Sequence, residues 1–265
     1  MKKLLLAFAL FAHVFAFSSN HNTRAAAWVD PFEEILEIFG ISSNLSFAQI
    51  AEEATVLWMQ KDRERWEFDH RFEYMKPQLW PLFEQMGLLQ EVKPKSTHYD
   101  YVLICGALVT SMEESVAYLA KLKREGLQFD QIIFLTSRRP LTDPEVALTH
   151  MATEKDAAEW LFGHSQDLND SPAFFANAPM KEKDGLLVRP DRANTIGNWL
   201  QSVPKPGKCL ALCIQPYVEY QNVVISSYLP ENFSLEMAGP AVKNDPSVAL
   251  ILDTIARELS WRHPS

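Results

Sequence analysis

Tyr101-Val102-Leu103-Ile104-Cys105, followed by Gly106-Ala107, is the stretch whose reading decides the fold. Five consecutive apolar residues, bounded by a glycine, are too few for a buried helix and do not alternate. That pattern predicts a strand buried on both faces, as in a parallel sheet covered by helices. Working downstream, Glu113–Arg124 has helical spacing and is closed by Gly126. Gln131–Thr136 repeats the buried-strand pattern, and a helix is predicted over Pro144–Phe162. Gly163–Asp184 reads as an irregular surface insertion, Leu186–Val188 as a third strand and Asn194–Val203 as a short helix. Cys209–Ile214 follows as a fourth strand, Val218–Leu229 as a helix and Phe233–Met237 as a fifth strand, and Ser247–Trp261 as a final amphipathic helix. Strands alternating with helices predict an α/β fold, a Rossmann-like open parallel sheet with helices on both faces.

Upstream the period changes. Phe32, Ile35, Leu36 and Phe39 form one helical stripe, and Ile50, Ala54, Leu57 and Trp58 another. Asp30-Pro31 is read as the opening of the first helix and Gly40 as its close, while Ser46 and Gln49 form a capping box for the second. The expectation is a helical N-terminal region over 28–92, with Lys93-Pro94-Lys95-Ser96 as boundary, and an α/β domain over 97–265. Residues 1–19 have the layout of a signal peptide. Lys2 and Lys3 precede the apolar run Leu4–Phe17, and Val14-Phe15-Ala16 supplies a cleavage site. The run is shorter than the ~20 residues of a spanning helix. An exported protein, periplasmic or secreted, is expected; the alternative is a membrane anchor retained over residues 4–17.

The chain has 265 residues, 47% of them hydrophobic, which supports a packed core. Its net charge of −9 argues against nucleic acid as a partner, since phosphate binding needs a basic face. Cys105, Cys209 and Cys213 all lie in strand-like runs and read as small buried hydrophobes. A bridge from Cys105 to one of the other two is open in an oxidising compartment. No metal site is expected, because no His or Cys stands at ligand spacing nearby.

Ligands of open parallel sheets collect beyond the carboxyl ends of the strands. That rule selects the loops Gly106–Ser111, Ser137–Asp143, Arg189–Asn198 and Gln215–Tyr220. Two of them carry arginines: Ser137-Arg138-Arg139-Pro140, and the stretch with Arg189 and Arg192 before Asn194, Thr195 and Asn198. Guanidinium groups match phosphate or carboxylate in bidentate fashion, so these loops predict a pocket for a small anion. No acid stands in the first turn of the helix near Asn194, so its N–H groups are expected to face that anion. The first loop lacks the spaced glycines of a dinucleotide fingerprint, and Thr110 with Glu113 and Ser111 with Glu114 resemble capping boxes. Glu145, in Thr142-Asp143-Pro144-Glu145, is the acid best placed by sequence to be a general base; N-terminal capping is its other reading. No particular cofactor is implied by these residues.

Several of these segments resemble the SanA/ElyC/YdcF-like family of bacterial envelope proteins. Val102-Leu103-Ile104-Cys105-Gly106-Ala107 is similar to the family's first strand and glycine turn, and Ile133-Phe134-Leu135-Thr136-Ser137 to its second strand ending in serine. Asn194-Thr195-Ile196-Gly197-Asn198 looks like its Asn-Thr-x-x-Asn stretch, and Glu145 matches its acid. The resemblance implies a Rossmann-like domain, an N-terminal export or anchor segment and a role in envelope homeostasis, with S-adenosylmethionine a ligand suggested for one branch. The chain departs from the pattern at Arg138 and Arg139, where the family has glycines, and at Ser115 or a neighbour, where it has an arginine. It departs again at Val218 and Gln221, where the family has a His and an Arg. Two readings follow. One is a domain that binds a small anionic ligand through Gly106, Ser137, Arg138, Arg139, Asn194, Thr195 and Asn198, with Glu145 as base. The other is a non-catalytic secreted protein that works through protein contacts.

Overall fold

The computed structural model describes residues 22–60, 67 and 70–263, so the expected signal segment lies outside the described residues. The chain divides into two compact units, one of residues 1–90 with 244–265 and one of residues 91–243.

The first unit is helical. Helix α1 (Asn22–Ile38) begins upstream of Asp30-Pro31, and Pro31 lies inside it. The expected start at Asp30 therefore moves back, through an Ala-rich stretch with strong helix propensity. Helix α2 (Phe47–Leu57) starts at the predicted capping box, in which Ser46 and Gln49 bond reciprocally. A 3-10 turn (Glu73–Met75) leads into α3 (Lys76–Gln85). Trp58 is fully buried and meets Phe39 edge to face at 5.2 Å between ring centroids.

The chain's final helix, Val248–Arg262, belongs to this unit and not to the sheet, which differs from the boundary expected from sequence. It packs against α2, α3 and the 3-10 turn. Specific polar contacts fix it there. Its first amide, Val248 N–H, donates to Glu73 Oε1 at 2.7 Å, and buried Asp253 accepts from Gln60 N–H at 2.8 Å. Its apolar residues Ile251, Leu252, Ile255 and Leu259 are buried, each stabilising by roughly 1.5–3 kcal/mol relative to exposure.

The second unit has the expected fold class. Strand β1 (His98–Cys105) precedes α4 (Val109–Arg124), and β2 (Gln128–Leu135) follows. Two helices, α5 (Asp143–Thr149) and α6 (Glu154–His164), stand where one was expected. The break falls at His150, which is left-handed with φ 57° and closes α5. Next comes β3 (Ala173–Phe175), inside the segment read from sequence as irregular. The expected third strand, Leu186–Val188, is β5, and it pairs antiparallel with β4 (Lys181–Lys183) in a separate hairpin. Helix α7 (Arg192–Leu200), β6 (Lys208–Leu212), α8 (Val218–Ser226) and β7 (Ser234–Ala238) complete the unit; the final helix is α9.

The five-stranded sheet has the order β3-β2-β1-β6-β7, and every pairing in it is parallel. Alternate residues of its central strands serve two cores. Val102, Ile104, Ile132, Phe134, Leu210 and Leu212 face α4 and α6, packing with Met112, Leu119, Ala157 and Leu161. Leu103, Cys105, Ile133, Leu135, Cys209 and Ala211 face α7 and α8, packing with Ile196, Trp199, Val218 and Ile225. Because β1 has β2 on one side and β6 on the other, the strand order reverses between β1 and β6. Their carboxyl ends are where such a sheet opens a crevice.

Candidate functional site

Four chain segments meet at the carboxyl ends of β1, β2 and β6. The loop after β2 contributes Ser137 and Arg139, both buried. Arg139 does not face an open pocket. Its Nη1 and Nη2 each donate to one Glu145 carboxylate oxygen at 3.0 Å, and Nη2 also donates to the Ala107 carbonyl at 3.1 Å. The Arg139 Nε lies 3.6 Å from Glu154 Oε1. The expectation that Arg139 grips a ligand anion thus meets a guanidinium already committed to two carboxylates. Arg138 is the exposed member of the pair, with Nε 3.4 Å from Asn177 Oδ1.

Glu145 joins two helices. Its Oε2 accepts from the Thr142 amide and hydroxyl at 2.9 Å, closing the capping box of α5. Its Oε1 accepts from Val109 N–H at 3.0 Å, the first amide of α4. Helix α4 begins earlier than the Thr110 and Ser111 boxes predicted, and Glu145 from the next crossover closes its end. Burial alone would raise the Glu145 pKa. Hydrogen bonds from Arg139, the Thr142 amide, the Arg139 charge and the Val109 amide hold it down to about 2. A carboxylate so stabilised is a poor proton acceptor near neutral pH. Its capping role is the one its contacts describe.

Glu154 is the acid that sequence reasoning missed. It opens α6, and its Oε2 accepts from the Ser137 hydroxyl at 2.7 Å and from Ser137 N–H at 2.9 Å. It is buried to 6% exposure, and that burial raises its pKa against the opposing pull of Arg139, the Ser137 hydroxyl and Arg192. The signal was present in Thr153-Glu154-Lys155-Asp156, a capping box that starts a new helix. It was hidden because the apolar spacing runs on across His150.

Arg192, at the start of α7, reaches over both central strand ends. Its Nη1 donates to the Leu135 carbonyl at 3.2 Å, its Nη2 to the Gly106 carbonyl at 3.1 Å, and its Nε to Gln221 Oε1 at 3.2 Å. Gly106 is a close-approach glycine. A Cβ there would stand 2.6 Å from the Leu135 carbonyl oxygen and 3.1 Å from the Glu154 carboxylate. Gln221, from α8, occupies the position where the resemblance leads one to expect arginine, and its Oε1 lies 4.0 Å from Cys105 Sγ.

The Asn-Thr-x-x-Asn stretch has local partners. Asp191 caps α7 by accepting from Asn194 N–H at 3.0 Å, and Asn194 Oδ1 accepts in return from Asp191 N–H at 3.1 Å. The helix end expected to face an anion is therefore closed by its own capping box. Thr195 Oγ1 donates to the Arg192 carbonyl at 3.1 Å, and Asn198 Oδ1 accepts from Asn177 N–H at 2.8 Å. These residues position α7, and through it Arg192. The predicted residues thus divide into two groups: Gly106, Ser137, Arg139 and Glu145 gather at the strand ends, whereas Asn194, Thr195 and Asn198 brace the helix that delivers Arg192.

Among the described residues, no group of three or more His, Cys, Asp or Glu side chains could hold a metal ion, and no helix is long and apolar enough to cross a membrane. No protein-family model, curated protein or solved structure matches the chain.

Proposed function

We propose that the α/β unit binds a small anionic ligand, of nucleotide-like or envelope-precursor class, and that the chain is an exported protein of envelope homeostasis. The observation that carries this reading is the cluster of charge at the strand ends: Arg139, Glu145 and Glu154 buried, with Arg192 half-buried over them. Desolvating such groups costs several kcal/mol each, and an aliphatic cluster of the same volume would stabilise a sheet edge at least as well. Perturbed ionisable groups gathered at a switch point are the usual mark of a site. Glu145 is matched by Arg139, and burial raises the Glu154 pKa against the pull of Arg139 and Arg192. Arg192 lies over the cluster, and exposed Arg138 stands on the loop after β2. These two guanidinium groups are the donors the site would offer an anion. Glu154 against the Ser137 hydroxyl, rather than Glu145, is the candidate proton acceptor. The family resemblance and the expected export segment support the envelope setting.

The second reading, a non-catalytic protein acting through protein contacts, is favoured by Val218 and Gln221 at positions where the family has a His and an Arg. It is also favoured by Leu186 and Leu187, 69% and 73% exposed on the small hairpin.

Thermal unfolding in the presence of inorganic phosphate, ADP or S-adenosylmethionine tests the first reading. A ligand at a hundred times its Kd adds about 2.7 kcal/mol, a readily measured rise in Tm. At least one of the three is expected to give such a rise, and the combined Arg138→Ala, Arg192→Gln protein is expected to lose it. A rise that survives in the folded double variant, or no rise with any of the three, rejects the anion site.

A further inference from the structure

The switch point between β1 and β6 holds a feature that the proposed anion site does not use. Ile104 of β1 is the register partner of Leu212 of β6, so one step further along the two parallel strands brings Cys105 beside Cys213. Neighbouring strands run about 4.8 Å apart. That spacing falls within the Cα separation of about 4.4–6.8 Å that a disulfide spans. Both side chains belong to the face that packs against α7 and α8. In this structure both are free thiols, and a side-chain hydrogen bond joins Cys213 to Cys105.

We propose that Cys105 and Cys213 form a cross-strand dithiol that small-molecule disulfides oxidise reversibly to an intramolecular bridge. The two cysteines have complementary surroundings for that exchange. Cys213 is only partly buried and meets the incoming disulfide, whereas Cys105 is buried behind it. The Cys213 thiolate attacks one sulfur of the small disulfide, the S–S bond breaks, and one small thiolate leaves. The Cys105 thiolate then attacks Cys213 Sγ, a new S–S bond forms, and the second small thiolate leaves. Two electrons pass from the protein to the small disulfide, and the two thiol protons go to the departing thiolates. In the dithiol the hydrogen bond from Cys213 and the charge of Arg192 lower the Cys105 pKa against burial. Once Cys213 carries the small thiol, the Arg192 charge is what remains to favour the Cys105 thiolate. Cys209 supplies an internal contrast. Buried mid-strand with Asp100 as its charged neighbour, its thiol is pushed up to about 12, and it takes no part.

Treating the reduced, folded protein with oxidised glutathione, then denaturing and alkylating it, tests this directly. The expected product takes up one alkyl group, at Cys209, where the untreated chain with its three cysteines takes up three. Peptide mapping is expected to find Cys105 joined to Cys213, and dithiothreitol to restore the starting alkylation. Cys105→Ser is expected to stop at a glutathione adduct on Cys213, because the resolving thiol is gone. A wild-type protein that accumulates the Cys213 adduct without a bridge, or that bridges through Cys209, overturns the proposal. So does one whose thiols all remain alkylatable under a large excess of oxidant. The wild-type map alone decides the matter if the variant misfolds.

Discussion

Glu145 and Glu154 are a pair of buried acids, each within reach of Arg139, that the protein treats in opposite ways. Glu145 has five donors on its two oxygens, and its pKa of about 2 lies below its ordinary value of 4.5. Its contribution to stability is therefore complete above about pH 4.5 and is lost as pH falls toward 2. Glu145→Ala leaves Arg139 half-paired and the first α4 amide without its acceptor, and is expected to cost about 3–5 kcal/mol in urea unfolding at neutral pH. Glu145→Gln should remove the part of the acid loss that falls between those two pH values. For Glu154 the sign is reversed. Its pKa is raised in the folded protein, so the folded state is favoured when this group is protonated, and the penalty grows as pH rises through the folded value. Glu154→Gln is expected to raise Tm at neutral pH, with the gain shrinking toward low pH, while it impairs any proton transfer at the site. A Glu154→Gln protein with lower Tm at neutral pH would show that its contacts with Ser137 and Arg139 outweigh the cost of burying its charge.

Among elements, the boundary between α5 and α6 is the informative one. His150 ends α5 in a left-handed conformation that costs a residue with a Cβ roughly 1–2 kcal/mol. It is exposed, so His150→Gly should stabilise by about 0.5–1 kcal/mol in chemical denaturation without disturbing the core. The long central strands were legible because β1, β2 and β6 are buried on both faces and write that burial as unbroken apolar runs. β3 was not, since Ala173–Phe175 is three half-buried residues at a sheet edge, too short to carry a period. It is held by parallel pairing to β2 and by Phe175 stacked on Phe134 at 4.8 Å, neither of which a local window records. Leu186-Leu187-Val188 looked like the better strand because it is more apolar, yet it forms an exposed hairpin. At the candidate site, the arginine loop and Ser137 could be read from their place after a strand. Glu154 and Gln221 could not, because their importance comes from side chains that cross between loops.

At the scale of the molecule, the helical unit is assembled from two separated stretches of chain. Helix α9 supplies a buried apolar face to α2 and α3 and accepts the Gln60 amide through Asp253. Deleting residues 244–265 should therefore expose residues 47–85 to limited proteolysis while fragments of residues 91–243 persist. Equal resistance of both regions in the truncated protein would show that α9 is dispensable. The α/β unit has a corresponding closure of its own. Val92 and Gly239 exchange backbone hydrogen bonds at 2.9 Å in each direction, so the point where the chain enters this unit lies beside the point where it leaves. Gly239 suits that junction, since a Cβ there would fall 2.0 Å from the Cys213 carbonyl oxygen. The consequence concerns synthesis. On the ribosome the first helices emerge long before α9, and their partner is missing until the intervening unit has been made. A sheet that brings its own two ends together turns a long, entropically costly search into a short one. Prior folding of the α/β unit would thereby shorten the loop that must close for α9 to reach the first helices.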